Sequence, residues 1–323
     1  MSDENTPCSS VAASPGSVGM ISVPVLLGPT AAGKSGIAFA LARETGWEIL
    51  SCDSRQLYRG MDIGTAKPSA AERAQVPHWL TDILEPSEEY SAGRFADEAA
   101  AIIRNRAKRG KRVLLCGGTG LYFKALQRGS GDRAPSDPAL REALMQFARN
   151  NGSGALHREL VSVDPETAAR LHPNDIQRIV RALALFRQTG TRLSDVAPEG
   201  TPPGDMRFSV IKLTMERSLL YDRINRRVDA MMRDGLRKEF RALAAAGYDR
   251  QSPGMRTVGY REFFDVENGT ITESEAVALI QRNSRRYAKR QITWFSRQVE
   301  GMEVDASVTA RALQAVRHHF LKR

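Results

Sequence analysis

The feature that most constrains the fold is the stretch VPVLLGPTAAGKS at residues 23–35. Its apolar part, Val23 to Leu27, predicts a buried strand, and residues 36–43 after it predict a helix. The turn between them, Gly28 to Ser35, has the spacing G-x-x-x-x-G-K-S. A strand, a glycine-rich turn and a helix in this order form the context that a phosphate-binding P-loop requires. We therefore predict an α/β fold with a P-loop NTPase-like core, in which helices flank a parallel sheet.

The chemistry of this loop follows from its main chain and two of its side chains. The glycines let N–H groups turn toward phosphate oxygens, and the helix N-terminus adds its dipole. Lys34 adds a positive charge, and the hydroxyl of Ser35 is a ligand for Mg²⁺, the one cofactor that we predict. Neither the loop nor its flanks decide between ATP and another diphosphate compound. The residues predicted to bind the nucleotide or diphosphate are Gly28, Pro29, Thr30, Ala31, Ala32, Gly33, Lys34 and Ser35.

Composition excludes several classes of protein. With 323 residues, 41% hydrophobic and 26% charged, the chain matches a globular protein of one large domain or two. No apolar run approaches the roughly 20 residues of a membrane span. Residues 1–19 lack the basic and apolar segments of a secretory signal, so we predict a disordered tail and a cytoplasmic protein without a membrane partner. The cysteines at 8, 52 and 116 are too scattered for a disulfide framework, and the last two predict buried thiols.

The chain is basic. It has 47 Lys and Arg against 37 Asp and Glu, which gives a formal charge of +10. Such an excess is typical of proteins with a polyanionic partner, although a solvated basic surface gives the same count.

A carboxylate follows the second predicted strand, Trp47–Cys52. Because ligands collect at the carboxyl ends of parallel strands, we expect Asp53 to face the same crevice as the P-loop. Three interpretations are open for it. Asp53 is a ligand of Mg²⁺, a general base for a substrate N–H or O–H, or a turn residue that caps the next segment.

A second glycine-rich turn, Gly117-Gly118-Thr119-Gly120, follows the third predicted strand, Val113–Cys116. Glycines at the end of a strand allow a ligand to approach the main chain closely. A structural tight turn has the same composition, so both interpretations stay open.

The pattern becomes purely helical from Pro135 onward. Helices are predicted over 136–160 and 164–188, and Asn174 is a plausible cap for a helix that starts at HPND, residues 172–175. A strand at Phe208–Leu213 then resumes the sheet. We therefore predict a helical insertion domain at 135–205 within a catalytic core formed by 20–134 and 206–323.

Basic residues are concentrated in two further stretches. Six of the nine residues in RNRAKRGKR, residues 104–112, are basic. Such a run is typical of a solvated helix end but also of a nucleic-acid contact. In residues 282–297 four basic side chains share a helical face, and Tyr287, Trp294 and Phe295 interleave with them. Basic residues with aromatics suit single-stranded nucleic acid, because phosphates need charge and unstacked bases need flat partners. Beside the P-loop and the net charge, nucleic-acid binding is favoured over a plain amphipathic helix.

Six segments in order resemble the tRNA dimethylallyltransferase (isopentenyltransferase) family. The resemblance spans residues 21 to 296 and leaves the N-terminal tail and the last 25 or so residues outside. Ser35 stands where threonine is common in the family, but it keeps the hydroxyl. The segments are GPTAAGKS (28–35), DSRQLYRGMDIGTAKP (53–68), GGTGLYFKAL (117–126), LHPNDIQRIVRAL (171–183), RTVGYREF (256–263) and RRYAKRQITWF (285–295).

This resemblance implies a prenyl transfer. The enzyme would move a dimethylallyl group from dimethylallyl diphosphate to N6 of the adenine just 3′ of the anticodon in tRNA, and would release diphosphate. The P-loop would then hold a leaving group, and Asp53 would take the proton from a weakly nucleophilic adenine N6. The predicted partners are tRNA, gripped at its anticodon stem-loop by the insertion, and dimethylallyl diphosphate, with the enzyme a monomer.

The resemblance also implies roles for particular residues. The catalytic residues are Asp53, Lys34 and Thr30, and Thr30 would hydrogen-bond near Asp53 or the diphosphate. The residues that would contact tRNA are Asp53, Ser54, Arg55, Gln56, Thr119, Arg141, Gln177, Arg178, Ile179, Val180, Arg181, Arg256, Thr257, Val258, Gly259, Tyr260 and Arg261.

Other functions share parts of this pattern. An adenylate isopentenyltransferase would use AMP, ADP or ATP as its acceptor with the same P-loop chemistry. A P-loop small-molecule kinase would use Asp53 for Mg²⁺ or a hydroxyl acceptor, and Arg178 and Arg181 would resemble its lid. A non-enzymatic P-loop RNA-binding protein would have no use for Asp53 and the GGTG turn at strand ends.

Overall fold

The computed structural model describes residues 20–129, 137–196 and 202–322. These ranges form one parallel sheet, with strand order β3-β2-β4-β1-β5-β6. The strands are β1 Ile21–Leu27, β2 Glu48–Cys52, β3 His78–Trp79, β4 Val113–Gly117, β5 Met206–Thr214 and β6 Met302–Asp305. The helices are α1 Lys34–Thr45, α2 Ala70–Gln75, α3 Ala92–Lys108, α4 Gly120–Arg128, α5 Pro138–Asn151, α6 Ser153–Val163, α7 Pro165–Arg170, α8 Ile176–Thr189, α9 Arg217–Arg233, α10 Leu236–Ala245, α11 Phe263–Glu267, α12 Glu273–Gln298 and α13 Thr309–Leu321.

Helices cover both faces of this sheet, as a parallel sheet requires. On one face the core includes Phe95 of α3, Phe123 of α4 and Phe295 of α12. On the other face, Leu41 of α1 and Val316 of α13 pack against the strands. The predicted parallel α/β architecture is confirmed, and the four predicted strands are present with their ends shifted by at most two residues.

Helices α5 to α8 form a separate cluster with its own core. Leu144, Leu156, Leu160 and Leu183 are all buried together there. No strand occurs in the described residues 137–196, in keeping with a helical insertion. The boundaries at 134/135 and 205/206 stay a prediction, since 130–136 and 197–201 lie outside the described residues, as do the tail at 1–19 and Cys8.

The two long helices predicted in this segment are wrong in their extent. The first is broken at Gly152, whose φ of 80° is left-handed, and Ser153 then starts α6. The second is interrupted before α8, whose N-cap is Asp175. The predicted cap Asn174 is therefore also wrong; its side chain instead accepts a hydrogen bond from the Ser153 hydroxyl at 2.9 Å.

Strand β6 and helix α13 extend the fold beyond the segments that the motifs identify. Ala306, Val316 and Phe320 complete the core on the α1 face. Cys52 and Cys116 are buried free thiols, as predicted. Across the described ranges, no helix is long and apolar enough to cross a membrane.

Candidate active site at the carboxyl edge of the sheet

The phosphate loop links the end of β1 to the start of α1. Gly33 is the N-cap of α1 with φ 89°, a left-handed conformation that glycine adopts without steric cost. Gly28 has a different reason to be glycine: a Cβ there would lie 2.9 Å from the carbonyl oxygen of Leu213 in β5. The strand, turn and helix predicted from the sequence are formed, and the N-terminus of α1 points into the loop.

Lys34 is the loop's charged residue. Its Nζ donates a hydrogen bond to the Pro29 carbonyl at 2.7 Å. Burial lowers the pKa of Lys34 to about 8, although the neighbouring Cys116 and Asp53 act in the opposite direction. A lysine held this way loses part of its charge near neutral pH unless an anion is bound beside it.

Asp53 lies at the end of β2, within electrostatic range of Lys34. Its Oδ1 accepts a hydrogen bond from the main-chain N–H of Arg55 at 2.9 Å, so the carboxylate also has the turn-capping role. A carboxylate has two acceptor oxygens, and Oδ2 remains for a substrate. The general-base and turn interpretations are therefore compatible in one residue.

Arg227 of α9 is a site residue that the motifs do not single out. Its Nη1 donates to the Thr30 hydroxyl at 3.2 Å. Burial lowers its pKa, and the nearby Asp53 opposes this. A sequence signal exists: Arg227 lies seven residues after the buried Leu220 and three after the buried Ile224, on the apolar stripe of its helix. An arginine on such a stripe indicates a buried charge that needs an anionic partner.

Three charged groups thus lie together at the phosphate loop. Lys34 and Arg227 are both within electrostatic range of Asp53 and of each other. Two half-buried cations suit a diphosphate, and the carboxylate near them suits a proton acceptor. This arrangement brings together the three residues predicted to be catalytic, Asp53, Lys34 and Thr30, and adds Arg227.

The turn at 117–120 lies beside the segment that follows Asp53. The Thr119 hydroxyl accepts from the main-chain N–H of Ser54 at 2.9 Å, which ties this turn to the segment after Asp53. Tyr287 of α12, another residue outside the predicted site, lies beside Thr119, and burial raises the pKa of its phenol to about 12. Tyr287 therefore stays neutral at physiological pH beside Asp53.

The glycines of this turn are explained by packing. A Cβ on Gly117 would lie 2.0 Å from the Cys52 carbonyl oxygen, and one on Gly118 would lie 2.4 Å from Gln291. A Cβ on Gly120 would overlap the Trp294 ring at 2.1 Å. Of the two interpretations left open, the structural one accounts for all three glycines.

The rest of the DSRQ segment is fixed to the protein. Arg55 donates to the Pro253 carbonyl at 3.3 Å. Gln56 accepts from the Ser51 hydroxyl at 3.1 Å and donates to the Ala66 carbonyl at 3.1 Å. These bonds shape the loop over 53–68, and contact of the segment with tRNA stays a prediction.

The other residues predicted to contact tRNA differ in exposure. Gln177, Arg178, Arg256 and Arg261 are exposed, while Arg181 and Val258 are half-buried. Arg141 pairs with Glu89 at 3.4 Å, which joins α5 to the core. Five others have little or no exposed surface, so RNA would reach at most their main-chain atoms: Ile179, Val180, Thr257, Gly259 and Tyr260. Contact of all these residues with tRNA stays a prediction.

The two basic stretches differ in position. In α12, Arg286 and Lys289 are exposed and have no acidic partner in the described ranges, on the helix that carries Tyr287. In residues 104–112, Arg104 pairs with Asp205 at 2.6 Å and Arg106 with Glu48 at 2.5 Å. That second stretch precedes β4 and so lies at the amino edge of the sheet, far from the P-loop.

A cavity at that amino edge is separate from the site. It is lined by residues that include Ser22, Trp47, Arg112 and His319, and by none of the residues predicted to bind substrate.

Ser35 is the predicted metal ligand. It is exposed at the first turn of α1, next to Lys34. The described residues contain no cluster of three or more His, Cys, Asp or Glu side chains suited to a metal. Mg²⁺ often binds through one or two protein groups together with substrate phosphates and water, so a single hydroxyl beside the phosphate loop fits it.

Known proteins match this chain over most of its length. The family model described as IPP transferase matches residues 56–298. The tRNA dimethylallyltransferase 1 of Citrifermentans bemidjiense is 49% identical over 280 residues, which cover 86% of this chain and 90% of that protein. The tRNA dimethylallyltransferase of Thermotoga petrophila is 43% identical and covers 87% and 91%.

Solved structures agree with these matches. The full-length tRNA isopentenylpyrophosphate transferase of Bacillus halodurans superposes with a TM-score of 0.67 at 39% identity, covering 92% of this chain and 95% of that one. A eukaryotic dimethylallyltransferase acting on tRNA superposes with a TM-score of 0.75 at 25% identity, covering 92% and 77%. The predicted P-loop NTPase-like fold is confirmed by these neighbours.

Proposed function

The chain belongs to the IPP transferase family, and from that premise we propose that it is a tRNA dimethylallyltransferase. It transfers a dimethylallyl group from dimethylallyl diphosphate to N6 of the adenine 3′-adjacent to the anticodon, giving N6-dimethylallyladenosine and diphosphate. The observation that carries the proposal is the group of charges at the phosphate loop. Asp53 lies within electrostatic range of Lys34 and Arg227, so a proton acceptor accompanies two half-buried cations there.

The cations act on the donor. As the C–O bond of dimethylallyl diphosphate breaks, negative charge grows on the diphosphate, and Lys34 and Arg227 offset it. The main-chain N–H groups of residues 28–35 and the N-terminus of α1 add fixed partial positive charge. Because these groups are preorganised, the charge is stabilised without reorganisation at the moment of reaction.

The carboxylate acts on the acceptor. The lone pair of adenine N6 is delocalised into the ring, so N6 attacks carbon only as its proton leaves. Oδ2 of Asp53 takes that proton, while Oδ1 keeps the carboxylate oriented through Arg55. The target base enters the site by leaving a loop in which bases are only partly stacked, which keeps the cost low.

Mg²⁺ has a supporting role in this proposal. The Ser35 hydroxyl would hold the ion, which would supply further charge neutralisation for the leaving group.

RNA as the acceptor is supported by the relatives and by the surface of α12. Its exposed Arg286 and Lys289, with no acidic partner in the described ranges, suit phosphates, and a free adenine nucleotide needs no such extended surface. The relatives named above are described as acting on tRNA. A small-molecule kinase is disfavoured on the same grounds. We further propose that the enzyme acts in the cytoplasm as a monomer.

One assay separates these functions. Dimethylallyl diphosphate and Mg²⁺ are incubated with the protein and with either unmodified tRNA or AMP, and products are analysed by mass spectrometry of nucleosides. We expect prenylated adenosine with tRNA and none with AMP. Prenylated AMP alone would instead indicate an adenylate isopentenyltransferase. ATP hydrolysis in a parallel tube, with neither prenylated product, would indicate a kinase or an NTPase.

A further inference from the structure

Gln291 of α12 connects the two halves of the site. Its side chain is buried, with 6% exposed. The Oε1 atom accepts a hydrogen bond from the main-chain N–H of Thr30 at 2.9 Å, and Nε2 donates to the Gly118 carbonyl at 2.9 Å. One amide group therefore connects the phosphate loop, residues 28–35, to the turn at residues 117–120, which we call the acceptor turn.

The acceptor turn is shaped to receive this amide. A Cβ on Gly118 would lie 2.4 Å from Nε2, so any larger residue would displace the Gln291 side chain. Both polar atoms that the amide contacts belong to main-chain groups, which need partners when they are buried. A glycine at position 118 is therefore needed for the two hydrogen bonds of the Gln291 amide.

This connection is part of a continuous contact along α12. Tyr287 lies one turn before Gln291, beside Thr119. Trp294 lies one turn after it and packs on Gly120. Three side chains of one helix therefore contact three consecutive residues of the acceptor turn, but Gln291 alone of these three also bonds the phosphate loop.

We propose that Gln291 is a positioning residue that sets the separation between the donor diphosphate and the acceptor adenine. This role rests on the proposed prenyl transfer. The donor is held by the loop that contains Thr30, and the acceptor lies against Asp53 and Thr119. Since reacting atoms must approach to about 3–3.5 Å, a shift of about 1 Å between these two parts lowers the rate about 100-fold without removing any contact to either substrate.

The first test is the substitution Gln291→Met, which keeps the length of the side chain and removes both hydrogen bonds. Single-turnover transfer is measured with saturating tRNA and dimethylallyl diphosphate, at a temperature where circular dichroism shows the variant folded. We expect the rate to fall about 10- to 100-fold. The dissociation constants for tRNA and for dimethylallyl diphosphate should change less than about threefold. Gln298→Met, at the exposed end of the same helix, is the matched control and should leave the rate unchanged.

A second pair of variants tests the same hydrogen bonds of Gln291 through a change in the acceptor turn. Gly118→Ala pushes the amide away without changing Gln291, and it should reproduce the loss of rate. Gly204→Ala, where a Cβ meets nothing within 4 Å, is its control.

Gln291→Glu adds a readout that a purely structural role would not give. The carboxylate accepts from Thr30 but cannot donate to Gly118, whereas the protonated acid does both. The rate of this variant relative to the wild type should therefore rise as the pH falls from about 8 to 6, since burial raises the pKa of the new acid.

Three results would overturn the proposal. The first is a Gln291→Met transfer rate within threefold of the wild-type rate. The second is an affinity of Gln291→Met for tRNA or dimethylallyl diphosphate that is more than tenfold weaker and accounts for the whole loss of rate. The third is a rate of Gln291→Glu relative to the wild type that does not change with pH. Wild-type protein that shows no transfer would contradict the proposed function and this role with it. Wild-type transfer with an equally fast Gln291→Met would contradict this role alone.

Discussion

At the scale of single residues, the candidate site holds two half-buried cations and a half-buried carboxylate. Lys34 and Arg227 are held in an environment that lowers the pKa of each, because burial disfavours their charged forms. Asp53 offsets part of that cost. A diphosphate would offset more, so the same burial that destabilises the two cations strengthens their interaction with an anionic donor.

The pKa of Lys34 gives a pH dependence. It is lowered to about 8, so in the free enzyme the ammonium loses its proton as the pH rises through about 8. We therefore expect kcat/KM for dimethylallyl diphosphate to fall above that pH, because kcat/KM reports ionisations of the free enzyme. With Lys34→Arg the charge persists, and this limb of the profile should disappear from the remaining activity. An unchanged limb in the arginine variant would assign it to another group.

Arg227 and its neighbour form a matched pair for mutation. Arg227→Met removes a half-buried charge that contacts Thr30, and we expect transfer to fall at least about 100-fold. Arg226→Met removes an exposed arginine paired with Asp222 on the same helix, and it should change the rate less than about twofold. Steady-state kinetics with both variants measures the contrast. Equal losses would show that Arg227 has no special part in the reaction.

At the scale of elements, helix α12 connects the candidate site to the core. Its buried stripe includes Ala276, Ile280 and Phe295, and Gln291 lies on the same stripe. The other face is basic and exposed. One helix of 26 residues therefore contacts the acceptor turn and the phosphate loop, and its exposed basic face is the surface where RNA would bind.

The basic face gives a prediction in salt. Arg286→Ala together with Lys289→Ala should weaken tRNA binding and reduce the slope of log K against log salt by about 1–2, because fewer counterions are released. Arg285 is excluded from the pair, since its guanidinium hydrogen-bonds Asn225 of α9 and its loss would disturb packing. Fluorescence titrations from low to moderate salt measure the slope, with the exposed Arg311→Ala of α13 as the control. The same slope in all three proteins would show that this face does not contact RNA.

Particular elements show what sequence can predict. The P-loop was predictable because its glycine, lysine and serine spacing is local, and the strands because their apolar runs are continuous. Gln291 was not, because its two partners lie 261 and 173 residues away. The GGTG glycines show the same limit: their composition fits ligand binding and packing equally, and only the positions of Gln291 and Trp294 decide between them.

At the scale of the whole molecule, the cluster formed by α5–α8 has a core separate from those on the two faces of the sheet. The proposed catalytic groups Lys34, Asp53 and Arg227 all belong to the part that contains the sheet. The two parts can therefore differ in stability.

This separation predicts a local effect. Leu183 is fully buried in the α8 core, and Leu183→Ala should destabilise α5–α8 by about 2–5 kcal/mol. Hydrogen exchange should rise in α5–α8 and stay unchanged in β1 and β4, with tRNA affinity reduced and donor affinity retained. Leu114→Ala, in the sheet, is the matched change and should raise exchange in the strands instead. Equal exchange throughout both variants would mean that the molecule unfolds as one unit.

The proton acceptor is the centre of this account, and Asp53→Ala tests it most directly. Single-turnover transfer from dimethylallyl diphosphate to unmodified tRNA is measured together with the dissociation constant for tRNA. Removal of the carboxylate leaves the adenine N6 proton without an acceptor, so we expect transfer to be abolished while tRNA binding stays nearly intact. Near-normal single-turnover transfer by Asp53→Ala would contradict the role of Asp53 as the base.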